Sequence, residues 1–204
     1  MGFYHDQIIP LLIDLSMRQQ KLVAYRERAT SAADGRVLEI GIGSGLNLPF
    51  YSRQVERLIG IDPSPKLLSM VRRKSPPDLK SLQLIEGSAE AIPLEANSVD
   101  TVVTTWTLCS IPDVACALSE MHRVLKPTGR LLFVEHGRAP DLNVRRWQDR
   151  LTPAWRCLGG GCHLNRAIQT LIEDAGFRFE RLETGYMRGP KALTFMYEGS
   201  ARPQ

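Results

Sequence analysis

Short runs of apolar residues alternate with amphipathic segments along most of this 204-residue chain. Five runs are rich in Val, Ile and Leu, and several are almost continuously apolar, as is typical of strands covered on both faces. The five runs occupy residues 36–40, 55–61, 81–85, 99–105 and 130–135. The segments 46–53, 65–74 and 112–125 between them have the spacing of helices. This alternation predicts an α/β fold in which a mostly parallel sheet carries helices on both faces.

The C-terminal part of the chain predicts a change of strand direction. A less regular stretch, 136–164, is followed by a predicted helix over 165–175 and by two strand-like runs at 178–184 and 192–197. The link between these two runs is too short for a parallel crossover, which needs about a dozen residues or more. We therefore predict a Rossmann-like sheet of seven strands with an antiparallel last strand.

The length of the chain sets the domain count. A mass of 22.9 kDa suffices for one domain with a sizeable core and is short for two, so we predict a single domain over residues 1–204. Residues 1–33 are interpreted as an N-terminal helical cap because apolar residues there approximate a helical stripe. Three roles stay open for this cap: it covers the sheet, closes a ligand crevice, or lies on a membrane surface.

Composition and charge narrow the class of protein. Hydrophobic residues make up 43% and charged residues 24% of the chain, which excludes disordered and fibrous proteins. No apolar run reaches the roughly 20 residues that cross a bilayer, and no signal peptide is recognisable, so we expect a soluble, cytoplasmic protein. The net charge of +4 and the basic stretch 138–156 permit an anionic partner, although a solvated helix face is the simpler interpretation.

The four cysteines predict ordinary reduced thiols. Cys109, Cys116, Cys157 and Cys162 form no C-x-x-C pair and are too few for a disulfide framework in a chain of this length. Cys157, Cys162 and His163 lie together beside a glycine run, which suggests zinc. A structural zinc site needs four ligands, and because no fourth is evident we predict no metal.

A glycine-rich segment follows the first predicted strand. Gly41-Ile42-Gly43-Ser44-Gly45 allows a sharp turn and a close approach of backbone to ligand, at the point where α/β sheets hold nucleotides. A dinucleotide fingerprint requires a third glycine where this chain has Leu46. Glu39, two residues before Gly41, would repel a pyrophosphate but suits a ligand that carries ammonium and sulfonium charges.

Two further motifs follow the second and third strands. Asp62 closes the second strand, where its carboxylate can accept hydrogen bonds from both hydroxyls of a ribose; the alternative is a simple cap for the helix that starts near Pro65. Gly87-Ser88-Ala89-Glu90 follows the third strand, where an adenine could lie. The two motifs are therefore interpreted as candidate sites for a ribose and for an adenine.

Taken together, the motifs from Val37 to Glu135 resemble those of class I S-adenosylmethionine-dependent methyltransferases, in the group that includes the ubiquinone-biosynthesis enzymes. The resemblance implies S-adenosylmethionine as cofactor, S-adenosylhomocysteine as product, and the following cofactor-binding residues. They are Glu39, Gly41, Gly43 and Gly45 at the methionine end, Asp62 at the ribose, Ser88, Ala89 and Glu90 at the adenine, and Thr105 beside the cofactor. The family often has Asp in place of Ser88, so the resemblance implies that a hydroxyl or a backbone carbonyl makes the adenine contact in this chain.

The second half of the chain gives a narrower resemblance. Thr107-Leu108-Cys109-Ser110 and the segments 151–155 and 161–164 are similar to those of small methyltransferase-like proteins that include alkyl thiol methyltransferases. Those relatives carry an N-terminal membrane anchor, whereas this sequence predicts at most a weak peripheral membrane contact. The resemblance implies a small-molecule acceptor: a thiol, a quinol or phenol, or a lipid amine.

Methyl transfer from a sulfonium depends mainly on alignment, which can contribute on the order of 7–11 kcal/mol. A thiolate acceptor needs little proton chemistry, whereas a hydroxyl or an ammonium needs a base. His136 at the end of the fifth strand and His163 in the irregular stretch are the candidate catalytic residues, against the alternative of hydrogen-bonded structural histidines. The stretch 136–164 is interpreted as an insertion that borders the acceptor pocket.

Three rival functions stay open. Leu46 and Glu39 disfavour a nicotinamide dehydrogenase. A nucleic-acid methyltransferase is permitted by the basic charge, but enzymes that methylate base amino groups place an N/D-P-P-Y/F tetrapeptide where this chain has Thr105-Trp106-Thr107-Leu108. A cofactor-binding module without catalysis is the third.

Overall fold

The computed structural model describes residues 8–74 and 81–204, so the first seven residues of the predicted cap lie outside the described residues. Within these ranges seven strands form one sheet with the order β3-β2-β1-β4-β5-β7-β6. The strands are β1 (Gly35–Ile40), β2 (Val55–Asp62), β3 (Leu82–Glu86), β4 (Val99–Thr105), β5 (Leu125–His136), β6 (Phe177–Tyr186) and β7 (Phe195–Pro203). The first five strands pair in parallel, and β7 pairs antiparallel with both β5 and β6. The predicted fold class is confirmed.

Seven α-helices occur in the described part of the chain. They are α1 (Ile9–Met17), α2 (Val23–Ser31), α3 (Pro65–Lys74), α4 (Val114–Val124), α5 (Leu142–Leu158), α6 (Ile168–Asp174) and α7 (Lys191–Thr194). None of them is both long and apolar enough to span a bilayer.

Two predicted elements differ from the structure. The helix expected over 46–53 is only a short 3-10 turn, Leu48–Phe50, because Pro49 removes a backbone donor and the flanking side chains turn into a buried polar network. The stretch 136–164, expected to be irregular, contains the 17-residue helix α5. The large apolar residues Trp147, Leu151, Trp155 and Leu158 recur at helical spacing but are exposed in the structure, and Pro153 lies inside the helix.

The helices cover both faces of the sheet. Alternate residues of the central strands point to opposite faces, so Leu38 and Val102 join one apolar cluster while Val37 and Val103 join the other. On the first face α4 buries residues at helical spacing, and its N-terminus is capped by Asp113, whose carboxylate accepts a 3.0 Å hydrogen bond from the Cys116 amide.

This topology fixes where a ligand can bind. The strand order reverses between β1 and β4, and a parallel sheet opens a crevice at such a point, outside the carboxyl ends of its strands.

Candidate active site

A cavity of about 1050 Å³ lies at the carboxyl ends of β1, β2, β3 and β4 and is closed by α1 and the end of α5. Its volume is at the upper end of the range for ligand pockets, so it can hold a nucleoside ligand together with a second molecule. Among the residues proposed from the sequence, the lining includes Glu39, Gly41, Gly43, Asp62, Ser88, Ala89 and Thr105.

The loop after β1 depends on two glycines for different reasons. Gly41 has a φ of +66°, and a Cβ there would lie 2.5 Å from Thr107, so this position must be glycine for the loop to pack. Gly43 also has a positive φ, but a Cβ there would point into open space. Gly45 does not line the cavity. A Cβ at this position would lie 2.7 Å from the Leu48 side chain, so the glycine is needed for packing.

Glu39 lies at the base of the cavity in a buried hydrogen-bond network. One carboxylate oxygen accepts a 2.8 Å hydrogen bond from the Asn47 amide, and the other accepts a 2.9 Å hydrogen bond from the Tyr51 hydroxyl. Asn47 also donates to Thr105 at 3.0 Å. Burial raises the pKa of Glu39 to about 7, although its two hydrogen bonds and the charge of Arg26 favour ionisation. A cationic ligand group beside this carboxylate would restore its charge.

Asp62 connects the glycine loop to α3. Its two carboxylate oxygens accept hydrogen bonds from the backbone amides of Gly43 (2.9 Å) and Ser64 (2.8 Å). Burial raises its pKa, and these two hydrogen bonds oppose that effect. Ser64, rather than Asp62, caps α3 by accepting a hydrogen bond from the Leu67 amide at 3.3 Å. Each oxygen of Asp62 has a second lone pair that a ribose hydroxyl can use.

The residues of the segment after β3 do not all face the cavity. Ser88 and Ala89 line the cavity, whereas Glu90 does not. The Glu90 carboxylate accepts hydrogen bonds from the Ser88 hydroxyl (2.8 Å) and from the Asp113 amide (2.6 Å). Glu90 therefore orients Ser88 and the start of α4 and does not face the ligand space.

The N-terminal helices contribute side chains to the cavity that the sequence did not indicate. Arg26 of α2 is 6% exposed and donates a 2.7 Å hydrogen bond to the Asn47 side-chain oxygen. Asp14 of α1 accepts hydrogen bonds from the Ser44 hydroxyl and from Arg18. Asp14 thus links α1 to Ser44 of the glycine-rich segment, and Arg26 links α2 to Asn47 just after it.

Trp106 occupies a strained backbone position on the cavity wall. Its φ of +51° is uncommon for a bulky residue, and such strain concentrates at functional sites. The Arg26 guanidinium lies 4.9 Å from the ring centroid, and Tyr25 packs edge-on against the ring at 6.3 Å. These contacts from α2 stabilise the strained residue.

The two candidate catalytic histidines do not line the cavity. His136 is 9% exposed, and its Nε2 lies 3.1 Å from the sulfur of Cys162. The Nδ1 atom of His163 lies 3.1 Å from the carbonyl oxygen of Cys109, and burial lowers its pKa. Neither ring is placed to take a proton from a molecule in the cavity.

The cysteines nearest the histidines form a buried pair. The Cys109 thiol donates to the Trp106 carbonyl oxygen at 3.6 Å. Interaction with Cys162, and then with His136, lowers the pKa of Cys109, while interaction with Cys109 and burial raise the pKa of Cys162. The negative charge near Cys109 outweighs the effect of burial on His136 and raises its pKa. Burial and Cys109 together raise the pKa of the neighbouring Glu135 to about 8.

The far end of the cavity is mainly apolar. Ile9, Ile13 and Met17 of α1 face it, and the end of α5 adds Pro153 and Arg156. Among the lining residues that the structure describes, none is His, Lys or Tyr. This end can hold an apolar molecule near one positive charge, and the other lining groups there that can take a proton are Asp14 of α1 and Cys157 of α5.

The donor and acceptor groups of the cavity fit S-adenosylmethionine. The open space over Gly43 admits a ligand close to the backbone, Glu39 provides a carboxylate for an ammonium or sulfonium, and Asp62 provides acceptors for ribose hydroxyls.

Comparisons with known proteins agree with this fit. The family described as a methyltransferase domain matches residues 38–133. The rat thiol S-methyltransferase TMT1B is 36% identical over 152 residues, which are 72% of this chain and 62% of the rat protein. The human thiol S-methyltransferase TMT1A is 33% identical over 180 residues, which are 86% of this chain and 72% of the human protein.

A solved structure shows the same fold. The Thermotoga maritima S-adenosylmethionine-dependent methyltransferase, described as a possible histamine N-methyltransferase, has a TM-score of 0.71 at 20% identity and covers 98% of this chain and 100% of its own. The chain belongs to the class I S-adenosylmethionine-dependent methyltransferases. It is an enzyme of that class, and S-adenosylmethionine is its methyl donor.

Proposed function

We propose that this enzyme transfers a methyl group to the sulfur of a small, largely apolar thiol. The observation that carries the proposal is the chemistry of the far end of the cavity, where apolar side chains and Arg156 surround a space whose described lining has no His, Lys or Tyr. A thiol is the acceptor that least needs a general base, because a fraction of it is already ionised at neutral pH. The similarity to TMT1A and TMT1B supports the same acceptor class.

The chain's own residues would act mainly by binding and alignment. S-adenosylmethionine supplies a methyl group on a positively charged sulfur, which is a good leaving group. Glu39 and Asp62 would fix the donor, while the apolar side chains of α1 would place the acceptor sulfur in line with it and exclude water. The Arg156 guanidinium would favour the thiolate over the thiol, so the acceptor proton passes to solvent before the new carbon–sulfur bond forms.

A matched series of acceptors tests the proposal. The purified chain is incubated with labelled S-adenosylmethionine and 2-phenylethanethiol, 2-phenylethanol or 2-phenylethylamine, which share one apolar group and differ in the accepting atom. We expect methylation of the thiol and little above background with the other two. Preferred methylation of the alcohol or amine would contradict the proposal, and so would no transfer by a sample that binds S-adenosylhomocysteine.

The prediction of weak peripheral membrane contact finds support in the surface beside the cavity. Large apolar side chains are exposed on the two helices that close it, and α5 also carries four arginines. The exposed apolar residues are Leu11, Leu12, Leu15, Leu142, Trp147, Leu151, Trp155 and Leu158. Binding to vesicles that contain anionic lipid, weakened by salt, would agree with this prediction, and absence of binding at low salt would contradict it.

A further inference from the structure

Three side chains with soft ligand atoms meet behind the wall of the cavity. Cys109 lies in the turn after β4, His136 is the last residue of β5, and Cys162 lies in the loop after α5. None of the three lines the cavity. From the sequence, Cys157, Cys162 and His163 were considered as zinc ligands and no metal was predicted; in the structure Cys157 is exposed on α5 and the ring of His163 faces a backbone carbonyl.

The ligand atoms are close together and shielded from solvent. The two sulfur atoms and one ring nitrogen of His136 all lie within 4.8 Å of one another. The residues are 2% (Cys109), 9% (His136) and 9% (Cys162) exposed. In a tetrahedral zinc site with Zn–S of about 2.3 Å and Zn–N of about 2.0 Å, ligand atoms are separated by less than about 4 Å, so only small movements of these side chains are needed.

The backbone that carries the three ligands is fixed by other contacts. The His163 amide donates a 2.8 Å hydrogen bond to the Cys109 carbonyl, which joins the loop after α5 to the turn after β4. His136 pairs with Met196 in the sheet. Arg166 donates to the carbonyl oxygens of Leu108 and Ile111 and holds the same turn from the other side. A site on such supports is largely formed before a ligand binds.

A buried polar atom without a partner lies beside the cluster. Glu135, adjacent to His136, is fully buried, and its Oε2 atom has no hydrogen-bond partner among the described residues. Arg166 also faces Cys109, Cys162 and Glu135, so the cluster lies between one buried carboxyl and one guanidinium. Thiolate and imidazole ligands select zinc and other thiophilic cations over magnesium or calcium.

We propose that Cys109, His136 and Cys162 bind one Zn²⁺ ion. Two thiolates would neutralise the ion, and three protein ligands would leave one place in a tetrahedral shell for water or an added thiol. The ion would connect the turn after β4, the end of β5 and the loop after α5, and so hold the cavity wall at Ser110 and Gly161. This inference does not rest on the identity of the methyl acceptor.

Metal binding to the reduced chain gives the direct test. The chain is treated with a chelator and a phosphine reductant, and Co²⁺ is then titrated in as a spectroscopic substitute for Zn²⁺. We expect one equivalent to give sulfur-to-cobalt charge-transfer absorption, which one equivalent of Zn²⁺ removes. Zinc X-ray absorption on the wild-type chain should then show two sulfur neighbours at about 2.3 Å and at least one nitrogen at about 2.0 Å.

Variants locate the site. Cys109→Ser and Cys162→Ser should each weaken Zn²⁺ binding by more than the roughly 10- to 100-fold that loss of a supporting residue usually costs. Cys116→Ser is the matched control, because Cys116 is exposed on α4 and lies outside the cluster, and it should bind as the wild type does.

Three results would overturn the proposal. One is X-ray absorption of the zinc-loaded wild-type chain that shows no sulfur neighbour; this measurement does not depend on the folding of any variant. Another is thiolate absorption that persists in the Cys109→Ser/Cys162→Ser double variant. The third is a reduced chain that takes up no Zn²⁺ but loses two hydrogens in mass on air oxidation, which would identify the pair as a disulfide instead.

Discussion

Arg26 of α2 donates a 2.7 Å hydrogen bond to Asn47, and the amide of Asn47 in turn donates to Glu39 and Thr105. A residue from the N-terminal cap thus supports the segment that follows β1. Arg26, Asn47, Glu39 and Thr105 form one buried polar network. Changes in α2 should therefore alter ligand binding without any change in the glycines.

The first prediction concerns Arg26→Met. The Asn47 oxygen would lose its partner and Trp106 its cation–π contact, so we expect the free energy of unfolding to fall by about 2–4 kcal/mol. The affinity for S-adenosylhomocysteine should fall by about tenfold or more, since a lost hydrogen bond of about 1.5 kcal/mol corresponds to that factor. Urea unfolding and calorimetric titration measure the two effects.

Arg28→Met is the control on the same helix. Arg28 pairs with Glu198 at 2.6 Å and does not line the cavity, so this variant should keep the wild-type ligand affinity even if it is less stable. Equal losses of affinity in the two variants would show that α2 acts through stability alone.

The second prediction concerns Asp62. Asp62→Asn removes the charge and one acceptor, and Asp62→Ala removes both acceptors, so the affinity for S-adenosylhomocysteine should fall in that order. Charge-assisted hydrogen bonds of about 1.5–3 kcal/mol predict a loss of roughly tenfold to a hundredfold for each ribose contact. Asp149→Asn is the control, because Asp149 is exposed on α5, lies outside the cavity lining and accepts a 2.7 Å hydrogen bond from Asn165. Unchanged affinity in Asp62→Ala would contradict the ribose assignment.

The third prediction separates the two glycines of the loop. In Gly41→Ala the new methyl group would collide with Thr107 at 2.5 Å, so this variant should lose both stability and ligand affinity. In Gly43→Ala the methyl group meets no protein atom closer than 3.9 Å, so stability should fall only by the roughly 1–2 kcal/mol cost of a positive φ. Its affinity for S-adenosylhomocysteine should nevertheless fall clearly, because the methyl group would occupy ligand space. If Gly43→Ala binds as the wild type does, the ligand does not approach this part of the backbone.

The parts of the fold that the sequence predicted are those with strong periodicity. The apolar strands, and helices such as Pro65–Lys74, were predicted close to their observed bounds because neighbouring strands and buried faces leave a repeating pattern. Helix α5 was missed although Trp147, Leu151, Trp155 and Leu158 recur at helical spacing; Pro153, which disfavours a helix interior, interrupts that pattern.

The residues of the candidate site also differ in whether the sequence could predict them. Glu39, Gly43 and Asp62 line the cavity because they lie at strand ends, and the order of elements fixes where those ends meet. Arg26 lies on another element, and no local pattern links it to Asn47, 21 residues later. His136 was placed correctly at the end of β5, but its ring turns away from the cavity toward Cys162, and sequence position does not determine that rotation.

The fourth prediction is a pH dependence of stability in the absence of ligand. The pKa of Glu39 is about 7 in the folded chain, whereas the ordinary value of 4.5 applies once the chain unfolds. Between these values the folded state binds one proton more than the unfolded state, so the free energy of unfolding should decrease as pH rises from about 4.5 to about 7. The contribution of this group is about 3 kcal/mol over that window.

Urea unfolding at several pH values between about 5 and 8, compared for the wild type and Glu39→Gln, isolates this contribution. The uncharged variant keeps one acceptor for the Asn47 amide, and its own amide group can donate to the Tyr51 oxygen, so it should lose part of the decrease. Parallel curves for the two proteins would mean that Glu39 is ionised throughout the range.

The last prediction concerns Arg156 and depends on the proposed thiol acceptor. If the guanidinium favours the thiolate, Arg156→Met should lower kcat/KM for 2-phenylethanethiol by about tenfold at pH 7, as the loss of about 1.4 kcal/mol of charge stabilisation would predict. Raising the pH to about 9 ionises the thiol in solution and should restore much of the rate, while the affinity for S-adenosylhomocysteine stays unchanged. Arg150→Met removes a charge from the same helix outside the cavity lining and should follow the wild-type pH profile. An equal loss at both pH values would show that Arg156 shapes the pocket without acting on the charge of the acceptor.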